Sequence, residues 1–223
     1  MTGGKYSVDV WAVPTWRHVK SLDAGFMTRP AFSPDGRFLL TGSGNSFQAR
    51  VWLVGRWTPL TDLNGHTDSL NDLAFAAGGR LAVTTSDDQT ARIWNVATGE
   101  IVATLRGHNR GVRAAAFSPN ATVVASVAGK TARVWDARTG EQLAVFRGGR
   151  LREIGFSRDG KSIWSTSDSI QGDGTIRIFR CTVCASLQEL MIRAADLATI
   201  RPWTKEEREQ YVPNGTHRKQ LIH

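Results

Sequence analysis

Gly65-His66-Thr67-Asp68-Ser69-Leu70-Asn71-Asp72-Leu73-Ala74-Phe75 opens a stretch that runs on through Gly78-Gly79-Arg80, Leu81-Ala82-Val83-Thr84, Asp87-Asp88 and Thr90-Ala91-Arg92-Ile93-Trp94 to Glu100. The rest of the chain repeats it with varying fidelity. Aligned on the closing aromatic, the copies end at Trp11, Trp52, Trp94, Trp135 and Phe179, spaced 41, 42, 41 and 44 residues apart.

A fixed period of about 42 residues, with Gly-His at one end and Val/Ile-Trp at the other, is the signature of a β-propeller blade. The expected fold is all-β: a partial array of about four blades, each of four antiparallel strands, over residues 1–180, then a short helical tail over 181–223. Ser7 to Trp11 alternates as a strand, Pro14 breaks it, and His18 to Leu22 returns as an outer strand. Met27–Phe32, Arg37–Thr41 and Gln48–Leu53 are the first three strands of the first complete blade. Outer strands follow at Thr58–Leu63, Ile101–Arg106 and Gln142–Arg147, and inner ones hold Leu73-Ala74-Phe75, Ala115-Ala116-Phe117 and Ile154-Gly155-Phe156. Four turns fall in register: Ser33-Pro34-Asp35-Gly36, Ala76-Ala77-Gly78-Gly79, Ser118-Pro119-Asn120-Ala121 and Ser157-Arg158-Asp159-Gly160. Proline presets φ at the second position and glycine accepts at the fourth what a Cβ would forbid.

The 22 Arg and 6 Lys give a formal charge of +8, a balance that permits contact with nucleic acid or an acidic protein. No basic run of five or more occurs, however, which weighs against nucleic acid. No run of about 18 apolar residues is present and the N-terminus lacks an apolar core, so neither a membrane span nor a signal peptide is expected. Cys181 and Cys184 are too few for a disulfide scaffold and point to a reducing, cytoplasmic setting. Their Cys-x-x-Cys spacing suits half a zinc site, a redox pair or packed thiols. With no second pair, packed thiols and no metal are expected.

The combination of Gly-His, Asp and Trp at these spacings resembles the WD-repeat β-propeller family over residues 6–180. The resemblance implies blades whose sequence repeats straddle two sheets, and a buried tetrad of His66, Thr84, Asp88 and Trp94. In it Asp accepts from His, and His and the hydroxyl link onward to the indole N–H. The other copies depart from the pattern. His108 and Trp135 remain, with Ala125 at the hydroxyl position and Gly129 at the Asp position. The last copy has Gly148-Gly149 for Gly-His and Phe179 for Trp, and Ala24-Gly25 precedes the copy ending at Trp52. The 65–106 unit is therefore expected to be the most rigid.

Three complete blades, a trailing three-strand unit and a leading two-strand unit make up the strand count. In the family an early strand supplies the outer edge of the last blade, a part residues 17–23 would play here. That would close only a four-blade ring and leave Val8–Trp11 surplus, so the expected arrangement is the C-terminal half of a larger propeller with an exposed open edge, and a self-pairing homodimer is the competing one. In the tail, Leu187, Leu190, Met191, Ala194 and Leu197 fall at helical spacing, and Thr204 with Glu207 forms a capping box for a helix through Tyr211. Residues 181–212, with the cysteine pair, the Leu-rich helix and Trp203-Thr204-Lys205-Glu206-Glu207-Arg208, resemble the C-terminal ends of bacterial signalling proteins. In those, a WD-repeat propeller follows a STAND-type NTPase. This chain itself is not expected to hydrolyse nucleotide.

Neither a Gly-x-Ser-x-Gly elbow nor a His-Glu-x-x-His motif is present, so the expected function is non-enzymatic, without a cofactor. The resemblance implies a peptide-recruiting top face formed by Phe26 and Thr28, Ser69 and Asn71, Gly111 and Arg113, Arg150 and Arg152, and Asp87. Three arginines on two successive blades suit an acidic peptide or phosphate groups. Nucleic-acid contact by the basic surface is the second reading.

Overall fold

Short runs of β-branched residues separated by tight turns force the chain to double back, pairing each strand with the next. A computed structural model describes residues 7–23, 29–43, 47–167 and 175–184. The chain divides into two compact units, Met1–Cys184 and Ala185–His223. The second lies outside the described residues, and with it the helices expected from Leu187 and from Thr204.

β1 (Ser7–Ala12) and β2 (Arg17–Asp23) form a two-stranded hairpin. Three four-stranded antiparallel sheets follow. The first comprises β3 (Ala31–Phe32), β4 (Phe38–Ser43), β5 (Gln48–Leu53) and β6 (Thr58–Leu63). The second comprises β7 (Leu70–Phe75), β8 (Leu81–Ser86), β9 (Ala91–Asn95) and β10 (Ile101–Leu105). In the third are β11 (Ala114–Phe117), β12 (Val123–Ala128), β13 (Thr131–Asp136) and β14 (Gln142–Arg147). The last sheet has three strands, β15 (Leu151–Phe156), β16 (Ser162–Ser167) and β17 (Ile176–Arg180), and a 3-10 turn at Thr182–Cys184 closes the described chain.

Three expectations change. The first strand of the first full sheet shrinks from the expected 27–32 to Ala31–Phe32, because Pro30 has no N–H to give a ladder; residues 27 and 28 lie outside the described residues. Arg17–Asp23 pairs with β1 rather than β17, so the early-strand closure does not form, and no strand among the described residues pairs along the outer edge of β17. Finally, Cys181 and Cys184 are not separate thiols. The 3-10 turn brings their Cα atoms to 5.3 Å, within disulfide reach, and they are bonded and buried against Leu151, Ile154 and Ile163.

Successive sheets meet face to face in a repeating way. Trp52 packs with Val10, Leu22 and Leu39. Trp94 packs with Leu40 and Val51 of the sheet before it, and Trp135 in turn with Val83 and Ile93 of the sheet before its own. The three four-stranded sheets each offer a tryptophan face to their predecessor and an aliphatic face to their successor, whereas the last sheet meets Ala125 and Val134 with Ile154 and Ile163. The cross-strand rows Leu40–Val51, Val83–Ile93 and Ala125–Val134 make up the aliphatic faces and are fully buried. Burial of this kind contributes about 25 cal/mol per Å² of apolar surface, which is what holds small sheets that are unstable alone.

The four inner turns close with a backbone bond from the fourth residue to the first: Gly36 to Ser33, Gly79 to Ala76, Ala121 to Ser118 and Gly160 to Ser157, at 2.8–2.9 Å. All four closing residues are left-handed, with φ of 69°, 66°, 56° and 70°. Ala121 alone carries a Cβ there, which costs about 1–2 kcal/mol in that conformation. Replacing it by glycine removes that strain while adding about 0.4–1 kcal/mol of chain entropy to the unfolded state. Ala121→Gly is expected to raise the melting temperature slightly; a clear fall would contradict the turn assignment.

Candidate functional site

At the centre of the second sheet, a line of hydrogen bonds threads four side chains. Trp94 Nε1–H donates to Thr84 Oγ1 at 2.8 Å, and Thr84 Oγ1 lies 2.7 Å from His66 Nε2. On the other side of the ring, His66 Nδ1 lies 2.7 Å from Asp88 Oδ2. A carboxylate only accepts, so Nδ1 carries the proton and Nε2 accepts from the threonine hydroxyl. Asp88 is held further by the Thr90 hydroxyl at 2.6 Å and the backbone N–H groups of Thr67 and Thr90.

The electrostatics match a neutral imidazole. Burial is the largest influence on His66 and pushes its pKa down, against the pull of Asp88. Their contact is thus a hydrogen bond from neutral imidazole to carboxylate near pH 7, not an ion pair. For Asp88 burial is again the largest single influence and works upward, but the Thr90 and His66 hydrogen bonds together outweigh it and lower the carboxyl to about 2.

The third sheet repeats the line with one member missing. Trp135 Nε1–H donates to Ser126 Oγ at 2.8 Å, and His108 Nε2 lies 2.8 Å from the same oxygen. The expected assignments of Ala125 and Gly129 are therefore corrected. The turn between β12 and β13 is the two-residue Gly129-Lys130, where the second sheet has Asp87-Asp88-Gln89, so counting back from Trp135 overshoots the hydroxyl by one. The aspartate is deleted rather than replaced. Thr131 Oγ1 stands 3.4 Å from His108 Nδ1, and burial, with Arg133 adding to it, lowers the His108 pKa to about 4. In the first sheet only Trp52 Nε1 to Thr41 Oγ1 remains, at 2.9 Å; Ala24 and Gly25 lie outside the described residues. Phe179 offers no donor in the last sheet, and Ser165 donates instead to the Glu153 carbonyl at 2.8 Å.

One element of this frame was not anticipated. Opposite each hydroxyl stands an arginine two residues before the aromatic: Arg50 across from Thr41, Arg92 from Thr84, Arg133 from Ser126 and Arg177 from Ser165. The guanidinia of Arg92 and Arg133 lie over Gly65 and Gly107, where a Cβ would run into them, and these glycines have φ of 151° and 141°. The signal was the recurring Arg-Val/Ile-aromatic triplet.

Of the expected rim residues, Phe26 and Thr28 lie outside the described residues. Ser69, Asn71 and Asp87 come together: the Asp87 N–H bonds the Ser69 carbonyl at 2.9 Å, and Asn71 Nδ2 reaches Asp87 Oδ1 at 2.8 Å and the Val112 carbonyl at 3.0 Å. Gly111 lies so close to Asp87 that a Cβ there would clash. Arg113 and Arg152 line a cavity of about 570 Å³ with Arg29, Asn71, Asp72, Glu153 and Trp164. Arg150 is exposed in the bend before β15. The cavity wall is not uniformly basic. Asp72 faces it with a pKa raised by burial, and Arg29 pairs with Glu153 at 3.2 Å, bridging the first and last sheets. Among the described residues no group of three or more His, Cys, Asp or Glu is placed to hold a metal ion, and no helix is long and apolar enough to cross a membrane.

Sheets of this size, stacked through tryptophan faces and wired by His, Ser/Thr and Trp, define β-propeller blades. The model of the WD domain, G-beta repeat, matches residues 15–52, 57–95 and 99–136, just over half of the chain. The chain belongs to the WD-repeat family. Each matched stretch ends at or just after a closing tryptophan and takes in the outer strand of the sheet before. The zebrafish (Danio rerio) "WD repeat and SOCS box-containing protein 1" is 41% identical over 102 residues, covering 44% of this chain and 24% of that protein. The human protein of that name is 37% identical over 98 residues, covering 43% and 23%. "Periodic tryptophan protein 2 homolog" of Neurospora crassa is 35% identical over 95 residues, covering 43% and 11%. The chain thus spans about a quarter or less of the length of these relatives.

The buried histidines give the fold a pH dependence of known sign. Unfolded histidine takes its proton near 6.5, whereas His108 resists until about 4 and His66 shifts the same way, so stability is full above that window and falls as pH drops through it. A second loss follows as pH falls from 3.8 through about 2, where Asp88 is protonated. Urea midpoints near pH 7.5 and pH 5 should differ, the lower pH being less stable; equal midpoints would rule out buried neutral imidazoles. His66→Ala leaves Asp88 and Thr84 underpaired and should cost about 1–3 kcal/mol at neutral pH.

Proposed function

We propose that this chain is a non-enzymatic protein-interaction module whose rim takes an acidic peptide through Arg113 and Arg152. WD-repeat proteins are as a rule interaction scaffolds, and the observation that supports the more specific reading is the cavity of about 570 Å³, with exposed Arg113 and Arg152 contributed by adjacent sheets. A guanidinium presents a planar fork that matches a carboxylate or phosphate in bidentate fashion. Arg150 extends the basic side of the rim. Asp72 and Glu153 on the same wall would repel an acidic ligand wherever it misses the arginines, which favours one register. Ser69, Asn71 and Asp87 are already bonded to one another and would brace the neighbouring blade while offering the exposed Asp87 carboxylate to a donor on the peptide. In this reading residues 1–180 carry the binding surface and 181–223 form an appended latch. The sequence resemblance over 181–212 supports a place in a bacterial signalling or regulatory protein, as its C-terminal propeller portion.

The test is fluorescence anisotropy with a labelled Glu-rich peptide. Arg113→Glu combined with Arg152→Glu should weaken binding at least about tenfold, since hydrogen bonds to charged groups contribute about 1.5–3 kcal/mol each. Unchanged capture would end the rim reading. Preferential binding of a single-stranded oligonucleotide, with affinity falling steeply with salt, would favour the nucleic-acid reading instead.

A further inference from the structure

The outermost described sheets expose the two halves of one interface. Within the stack, a tryptophan face covers an aliphatic cross-strand row twice, Trp94 on Leu40–Val51 and Trp135 on Val83–Ile93, and the Ala125–Val134 row is covered by Ile154 and Ile163. The equivalent row of the last sheet is Gly155–Trp164–Ile178, in the same register as Ala74–Val83–Ile93 and Ala116–Ala125–Val134. Whereas Val83, Ile93, Ala125 and Val134 are buried, Trp164 is 37% exposed and Ile178 73%, and Ile176 beside them is 69% exposed. The indole lies against Gly155, where a Cβ would collide with it, so it is held flat on the sheet.

At the other end, the β1–β2 hairpin exposes the matching half. Trp11 occupies the place of Trp52 and Trp135, down to the register shift that falls between it and Val10, as between Val51/Trp52 and Val134/Trp135. Val10, one residue before it, packs inward with Trp52, while Trp11 itself is 51% exposed and braced edge-on by His18 at 5.1 Å. The charges beside the two halves are opposite. Asp9 accompanies Trp11 where the internal sheets have arginine, and exposed Arg180 accompanies Ile178.

We propose that the Trp164–Ile176–Ile178 face takes the Trp11 face of a second copy of this chain, continuing across two molecules the packing that joins sheets within one. The contact is head-to-tail: each copy gives one half and receives the other. It uses sheet faces and leaves the hydrogen-bonding edge of β17 uninvolved.

Light scattering on a size-exclusion column, with the full chain, tests this. The wild type at about 100 μM should show at least twice the monomer mass of 24.4 kDa and fall toward it on dilution. Trp11→Glu and Ile178→Glu should each be monomeric with unchanged far-ultraviolet circular dichroism, since both side chains are exposed. Ile176→Lys serves if Ile178→Glu does not fold. An equimolar mixture of the two monomeric variants should regain mass and stop at the dimer, because it restores one interface and caps both ends. A monomeric wild type, a multimer that survives Trp11→Glu, or a mixture that remains monomeric would each overturn the proposal. Pairing through strand edges would show as the second of these.

Discussion

Three of the four junctions between sheets depend on a tryptophan of one sheet covering the apolar face of the sheet before it, and the fourth puts Ile154 and Ile163 in its place. Each sheet has an apolar face that must be covered, and a two-stranded hairpin such as β1–β2 is marginal alone in water. Stacking resolves that by giving every internal sheet two buried faces. The consequence is seen in the rows themselves, where Leu40, Val51, Val83, Ile93, Ala125 and Val134 are all inaccessible to water. Their sizes vary, from leucine to alanine, because each row is filled jointly with the side chains that land on it.

Covering a row with tryptophan creates a problem that the polar residues solve. An indole N–H buried between sheets needs an acceptor. A threonine or serine on the second strand supplies it, and that hydroxyl must then give its own proton away, which the histidine ring accepts. The wiring is therefore a sequence of obligations: Trp94 requires Thr84, Thr84 is completed by His66, and His66 by Asp88. The third sheet shows how far it can be shortened. Ser126 and His108 persist without a carboxylate, with Thr131 at a longer 3.4 Å beside the free side of the ring. Once the tryptophan itself is lost, at Phe179, the serine turns to a backbone carbonyl and no histidine is present.

The period of the aromatics and the four in-register turns made the sheet order legible from residues alone, and Gln48–Leu53, Thr58–Leu63 and Gln142–Arg147 fall where alternation and turn chemistry put them. What escaped the sequence has physical reasons. Ser126 was missed because a one-residue deletion in a turn is invisible when counting backward along a strand, whereas cross-strand register reveals it at once. Met27–Phe32 looked like a strand because apolar content says nothing about Pro30 and its missing donor. The pairing of Cys181 with Cys184 depended on a 3-10 turn that spacing alone does not dictate. The arginine column was present in the sequence as a repeated triplet, but only the structure shows that it lies over the glycines that precede His66 and His108. The rim is the least legible part: residue types announced its positive charge, not the Asp72 and Glu153 that share its wall.

Each repeat begins with the outer strand of one sheet and ends with the inner three of the next, as the matched stretches 15–52, 57–95 and 99–136 do. The covalent chain thus works as a staple across every face-to-face contact. A protease cut in the hairpin at Ala97–Glu100 would leave β10 held to β9 by its ladder and still tethered to the third sheet, so the stack would survive the nick. A cut between Leu105 and Ala114, by contrast, would leave two intact groups of sheets joined by non-covalent contacts alone, the packed faces and bonds such as Asn71 to the Val112 carbonyl. The stagger makes the linkers between sheets, rather than the hairpin tips within them, the places where the molecule can be taken apart.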